Sequence, residues 1–132
     1  MTKKDMLFRI QGRANRAQYW GYGVLLPLLM IIIVGVLVAV LMPLLQDSST
    51  GDDIVKTVVA VVVGLIGLVT LVLTVWMSIA VGVKRFHDMN QSGWLYALAF
   101  IPYLGTLVVI VIGILKGTDG ENQYGDIPTP VE

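Results

Sequence analysis

His87 and Asp88 are the residues best suited to moving a proton, an imidazole beside a carboxylate. They lie within Lys84-Arg85-Phe86-His87-Asp88-Met89-Asn90-Gln91-Ser92-Gly93-Trp94, and His87 is the one histidine of the chain. Consecutive residues do not face each other on a helix, however, and no nucleophile motif accompanies the pair. A structural part suits them better. Asp88 can pair with Arg13 or Arg16 across the loops, and Ser92 can cap a helix that begins near Trp94. Asn90-Gln91-Ser92 fits the glycosylation pattern but is set aside, because a cytoplasmic loop is expected there.

Two further polar clusters flank this one. In Phe8-Arg9-Ile10-Gln11-Gly12-Arg13-Ala14-Asn15-Arg16-Ala17-Gln18-Tyr19-Trp20, the arginines at 9, 13 and 16 would share one helical face. With Tyr19, Trp20 and Tyr22 behind them, they suit either anionic headgroups or ordinary interfacial anchoring. In Gly117-Thr118-Asp119-Gly120-Glu121-Asn122-Gln123-Tyr124-Gly125-Asp126-Ile127-Pro128, the alternation of Asp119, Glu121 and Gln123 slightly suggests a calcium loop. The twelve-residue EF-hand pattern is absent, and the glycines and prolines indicate tight turns. No catalytic, cofactor-binding or metal-ligating residue is assigned, and no phosphate loop or dinucleotide fingerprint occurs.

The elements that must carry these clusters are apolar. Of 132 residues, 56% are hydrophobic and 14% charged, with mean hydropathy +0.81. A soluble domain carries about 25% charged residues. The absence of cysteine excludes a disulfide scaffold and lipidation through a thioester. Nine basic and nine acidic residues cancel, so no global field points to nucleic acid. Long uncharged runs give spans at 21–45, 57–83 and 94–115, since roughly 20 residues cross a ~30 Å hydrocarbon core. The 27 residues of the second would reach about 40 Å and should tilt or project. The first is far longer than a signal-peptide core. The expected fold is therefore an all-α polytopic membrane protein with three transmembrane helices. Residues 1–20 form an interfacial segment and 116–132 a polar tail. Pro27 is a candidate kink, and Pro102 either kinks the third span or turns it back as a re-entrant hairpin.

Lys3, Lys4, Arg9, Arg13, Arg16, Lys84 and Arg85 oppose Lys56 alone on the other side, which orients the N-terminus and the Lys84–Gly93 loop to the cytoplasm. The acidic Gln46–Lys56 loop then faces outward. Three full crossings, the favoured arrangement, would carry the tail outward as well. The spans hold no Asp, Glu, Lys, Arg or His, which argues against a proton-coupled transporter. Thr70, Thr74 and Ser78 form a hydroxyl stripe, and Ala60-x-x-x-Gly64 and Ser78-x-x-x-Gly82 are small-residue pairs suited to helix packing.

The three clusters, in this order around three apolar runs, resemble a bacterial family of small inner-membrane proteins known as domain of unknown function 805. The resemblance rests on Gly12, Arg13, Arg16, Tyr19 and Trp20, then on Lys84, Arg85, His87, Asp88, Ser92, Gly93 and Trp94. It closes on Gly117, Thr118, Gly120, Asn122, Tyr124, Gly125 and Pro128. Phe86, Leu95 and Gln123 depart from the usual pattern. The resemblance implies an inner-membrane location and no reaction. If the three motifs form one site they must share one membrane face, which requires the hairpin.

The expected function is non-enzymatic: a small scaffold, adaptor or anionic-lipid-interacting module, self-associating, without cofactor or nucleic acid. Its polar cluster comprises Arg13, Arg16, Tyr19, Trp20, Lys84, Arg85, His87, Asp88, Ser92 and Trp94, with Asn122 and Tyr124 in the tail. Its basic members either contact phosphates or hold the cytoplasmic loops together. One alternative is a channel or transporter component lined by the hydroxyl stripe. Another is an enzyme acting on a lipid phosphate through His87 and Asp88.

Overall fold

A computed structural model describes residues 2–46 and 52–131. Residues 47–51 of the acidic loop expected at Gln46–Lys56 lie outside them. α1 (Lys3–Phe8) is followed by a loop and then by α2 (Arg16–Gln18), a π-helical stretch (Tyr19–Leu25) and α3 (Leu26–Gln46), which run on as one helix. α4 (Asp53–Asp88), a 3-10 helix (Gly93–Phe100) and α5 (Leu104–Ile114) complete the order. No strand forms among the described residues; Asn122 and Gly125 make an isolated antiparallel bridge.

Leu28–Val75 is one compact unit, made of most of α3 and the amino-terminal part of α4. Its large apolar side chains point outward, including Ile33, Val40, Leu65 and Val72. The helical stretches Arg16–Pro43 and Asp53–Asp88 are long and apolar enough to cross a membrane, and only 6% of each apolar window is buried. Left in water, each Leu, Ile or Val would forgo about 1.5–3 kcal/mol of burial. Hydrocarbon is the environment that suits such a surface.

The other unit, residues 2–27 and 76–131, carries the polar clusters. Its core is Met6, Ala14, Tyr19, Val81, Phe86, Tyr96 and Ile112. Thr2 caps α1, accepting from the Asp5 amide at 3.2 Å. Asn15 and Gln18 form a reciprocal capping box at the start of α2. In the loop between α1 and α2 Gly12 takes φ 94°, so Arg9, Arg13 and Arg16 do not lie on one helix and the expected arginine face is not formed. In the π stretch the Gly23 carbonyl accepts from the Ser78 hydroxyl at 3.1 Å. Pro27, four residues on, has no N–H to offer it. Thr74 returns its hydroxyl to its own helix, at the Thr70 and Leu71 carbonyls, so two of the stripe's three hydroxyls, those of Thr74 and Ser78, are engaged in backbone bonds.

Two boundaries differ from expectation. α4 continues five residues past Val83 and ends in a Schellman motif, with the Gln91 amide on the Phe86 carbonyl and the Asn90 amide on that of His87. Asn90 supplies the left-handed residue at φ 57°. The third apolar run is not one kinked helix. Pro102 forces Ile101 into an extended conformation, and Tyr103 takes φ 65°. The 3-10 helix and α5 then fold back on each other, Gly105 lying so close to the Ala99 carbonyl that a Cβ would collide with it. α5 has 11 residues and so spans about 16 Å, half a hydrocarbon core. Two helices, not three, have the length for a span among the described residues.

Candidate functional site

Arg85 and Asp88 sit three residues apart on the last turn of α4, so both point to the same side. Asp88 Oδ2 accepts from Arg85 Nη1, and Oδ1 accepts from Arg13 Nε at 3.1 Å and Nη2 at 3.0 Å. All three side chains are buried. One carboxylate thus carries two guanidiniums, an arrangement that survives burial only if the remaining N–H groups find acceptors.

Those acceptors are backbone carbonyls. Arg85 donates to Ile112 at 2.8 Å, to Ala14 at 3.2 Å and to Leu115, which satisfies the open carboxyl end of α5. Arg13 donates to Gly120 at 2.6 Å, Gly125 at 3.2 Å and Thr118 at 2.8 Å. Lys84, fully buried, places its ammonium 2.6 Å from the Asp5 carbonyl and 2.7 Å from that of Met6, at the end of α1. The excess of cations over carboxylate is therefore balanced largely by the negative ends of short helices and by loop carbonyls. No buried side-chain polar atom among the described residues lacks a partner.

The tail joins this knot directly. Asp88 accepts at its carbonyl from the Thr118 amide (2.8 Å) and hydroxyl (3.0 Å). A Cβ at Gly117 would overlap the Asp88 carboxylate. Asn122 donates to the His87 carbonyl at 2.9 Å and to the Thr118 hydroxyl at 2.8 Å. Tyr124 stacks on His87, ring centroids 3.9 Å apart and nearly parallel. The turn that slightly suggested a calcium loop is filled by the Arg13 guanidinium, and Asp119 pairs instead with Lys116 at 2.7 Å.

His87 and Asp88 point to different partners, as their adjacency requires. His87 Nδ1 lies 3.1 Å from the Gly12 carbonyl, so it donates there, leaving Nε2 of the neutral ring as an acceptor. Tyr19 is buried, its hydroxyl donating to Val109 at 3.1 Å, and Trp20 donates to Gly113 at 3.2 Å. Both hold α5 rather than forming an outward aromatic belt. Trp94, by contrast, is 88% exposed. Ser92 occupies the N-cap position, but its side chain makes no capping bond. Arg16 stays exposed, reaching the Ile114 carbonyl at 3.4 Å. At the periphery, the Thr2 hydroxyl, and then the Arg9 charge, hold Asp5 below the usual carboxylate range despite partial desolvation.

Arg16 and Lys116 border a cleft of about 230 Å³ with Arg13, Arg85 and Asp88 among its lining residues. Gly12, Gly117 and the carbonyls of Ile112 and Leu115 are partners that residue type alone does not reveal. The Arg85–Asp88 pair was also missed, although its three-residue spacing on a helix was a signal.

Known proteins match this chain over most of its length. A family described as "Protein of unknown function (DUF805)" matches residues 7–126. The chain is 31% identical over 123 residues to "Inner membrane protein YhaH" of Escherichia coli K12, covering 89% of this chain and 85% of the relative. It is 27% identical over 117 residues to "Inner membrane protein YhaI", covering 89% and 83%. It is also 27% identical over 150 residues to "Uncharacterized protein YiiR", covering 95% and 89%. No solved structure gives a significant match. The chain belongs to the DUF805 family.

Proposed function

We propose that this DUF805 protein is a non-catalytic module of the bacterial inner membrane that engages anionic headgroups on the cytoplasmic side. In this reading α3 and α4 cross the bilayer, while the 3-10 helix and α5 enter and return as a hairpin. The observation that carries it is the hydrogen bonding of Arg13 to both Asp88 and the Thr118–Gly125 turn. If the N-terminal segment, the end of α4 and the tail are one bonded cluster, they share one membrane face. The bias of seven basic residues against one supports the cytoplasmic face.

Within the cluster Arg13, Lys84 and Arg85 hold the loops together, and Asp88 and His87 are engaged separately, which supports a structural part for them. Arg16 and Lys116 are exposed at the rim of the cleft, Lys116 in a surface pair with Asp119 that a lipid phosphate can replace. The test compares phosphatidylglycerol binding by the wild type and the Arg16→Gln/Lys116→Gln variant in nanodiscs. At about 1 kcal/mol per basic residue, the double variant should bind about 30-fold more weakly. Unchanged binding would remove the headgroup role.

A further inference from the structure

The charge around the cleft at Arg16 and Lys116 sets what it can hold. Among its described lining residues four cations, Arg13, Arg16, Arg85 and Lys116, stand against two carboxylates, Asp88 and Asp119. Two positive charges are left over. One lies in the buried knot, where Asp88 serves two guanidiniums, and the other at the exposed rim. Glu121 and Asp126 are exposed and outside the lining, so solvent screens them. A phosphate diester brings a single negative charge, whereas a monoester brings about 1.5 to 2 at pH 7. On the headgroup reading, on which this step rests, we propose that the cleft is selective for a phosphate monoester, whose terminal oxygens take the place of the Asp119 carboxylate.

The rim supplies the donors. Among the described residues the Arg16 guanidinium makes one long hydrogen bond, at 3.4 Å to the carbonyl of Ile114, two residues before Lys116. Its planar fork is thus available to two oxygens of one ligand. Lys116 donates to Asp119 at 2.7 Å, and both side chains are exposed, so the pair contributes little and gives way to a stronger anion. A monoester has three terminal oxygens, enough for the fork and the ammonium together, and a diester has two. Arg13 adds no contact, because its N–H groups are taken by Asp88 and the Thr118–Gly125 turn. With Arg85 it adds instead the field of a buried charge that water screens poorly. The cleft of about 230 Å³ is smaller than the roughly 300–1,000 Å³ of a typical ligand pocket, which suits a compact phosphate and not a sugar head.

The monoester can belong to a lipid, as in phosphatidic acid, or to a soluble compound such as glycerol 3-phosphate. The full-length protein in mild detergent is titrated with short-chain phosphatidic acid, phosphatidylglycerol or phosphatidylcholine, and with glycerol 3-phosphate, at pH 8 and pH 5. Phosphatidic acid should bind about tenfold more tightly than phosphatidylglycerol at pH 8, the effect of a second charge in a partly screened site. At pH 5, below the monoester's second ionisation at about pH 6, the difference should shrink to about twofold or less. Glycerol 3-phosphate binding within about tenfold of phosphatidic acid assigns a soluble ligand, and weaker binding assigns the lipid. Asp119→Asn, which frees the Lys116 ammonium, should tighten phosphatidic acid about threefold. Phosphatidic acid and phosphatidylglycerol bound alike at pH 8, both above phosphatidylcholine, would overturn the monoester selectivity and leave the headgroup reading standing. All three lipids bound alike would overturn both. Unchanged affinity in Asp119→Asn would also overturn the proposal, since the phosphate would then not take the carboxylate's place.

Discussion

Replacing Asp88 with asparagine keeps the shape of the central side chain and removes its charge. Both guanidiniums then remain buried, with a neutral oxygen for one and an amide N–H turned toward the other. The wild-type carboxylate accepts from Arg13 twice and from Arg85 once, with a side chain only 6% exposed. Breaking such a buried pair from one side costs about 3–5 kcal/mol. At about 3–5 °C per kcal/mol for a chain of this size, the melting temperature in mild detergent should fall by about 10–20 °C. Since Arg13 and Asp88 are directly bonded, the double variant Arg13→Gln/Asp88→Asn should cost about 1–3 kcal/mol less than the sum of the singles. A loss below about 1 kcal/mol for Asp88→Asn, the value of an exposed pair, or strict additivity, would refute the clamp.

Gly117→Ala presses a methyl group against the Asp88 carboxylate, so tail docking should weaken by about 1–3 kcal/mol, seen as faster amide exchange over residues 118–125. Asp5, held low first by the Thr2 hydroxyl, stabilises α1 above the ordinary carboxylate value of 3.8. That contribution disappears as pH falls through its lowered folded value, so protection of the Met6–Phe8 amides should decline there. Thr2→Ala should weaken the decline, and a decline equal to wild type would assign it to another group.

The first two apolar helices were legible because uncharged runs of this length have one suitable solvent. The Asp88–Arg13 pair was also legible as one of two options, because a lone acid among basic residues needs a partner. The arginine face from 9 to 16 was misleading. Helical periodicity presumes a helix, whereas Asn15 capping and the positive φ of Gly12 break the segment. The third run was ambiguous for a physical reason. Twenty-two apolar residues fit one crossing, and only the Gly105–Ala99 approach and the hydrogen bonds to α5 made by Tyr19, Trp20 and Arg85 reveal the fold-back. Those acceptors are main-chain oxygens, which every sequence offers at every position, so residue types carried no trace of them.

The clamp requires that the carboxyl-terminal tail and the loop after α4 share one face of the membrane. The native chain has no cysteine, so single cysteines at Ser49, Asn90 and Glu121 can be treated with an impermeant thiol reagent in intact bacterial cells. Labelling at Ser49, with Asn90 and Glu121 both protected until the cells are lysed, is the predicted result. Labelling of Glu121 together with Ser49 would put the tail across the bilayer from Asp88 and contradict the account.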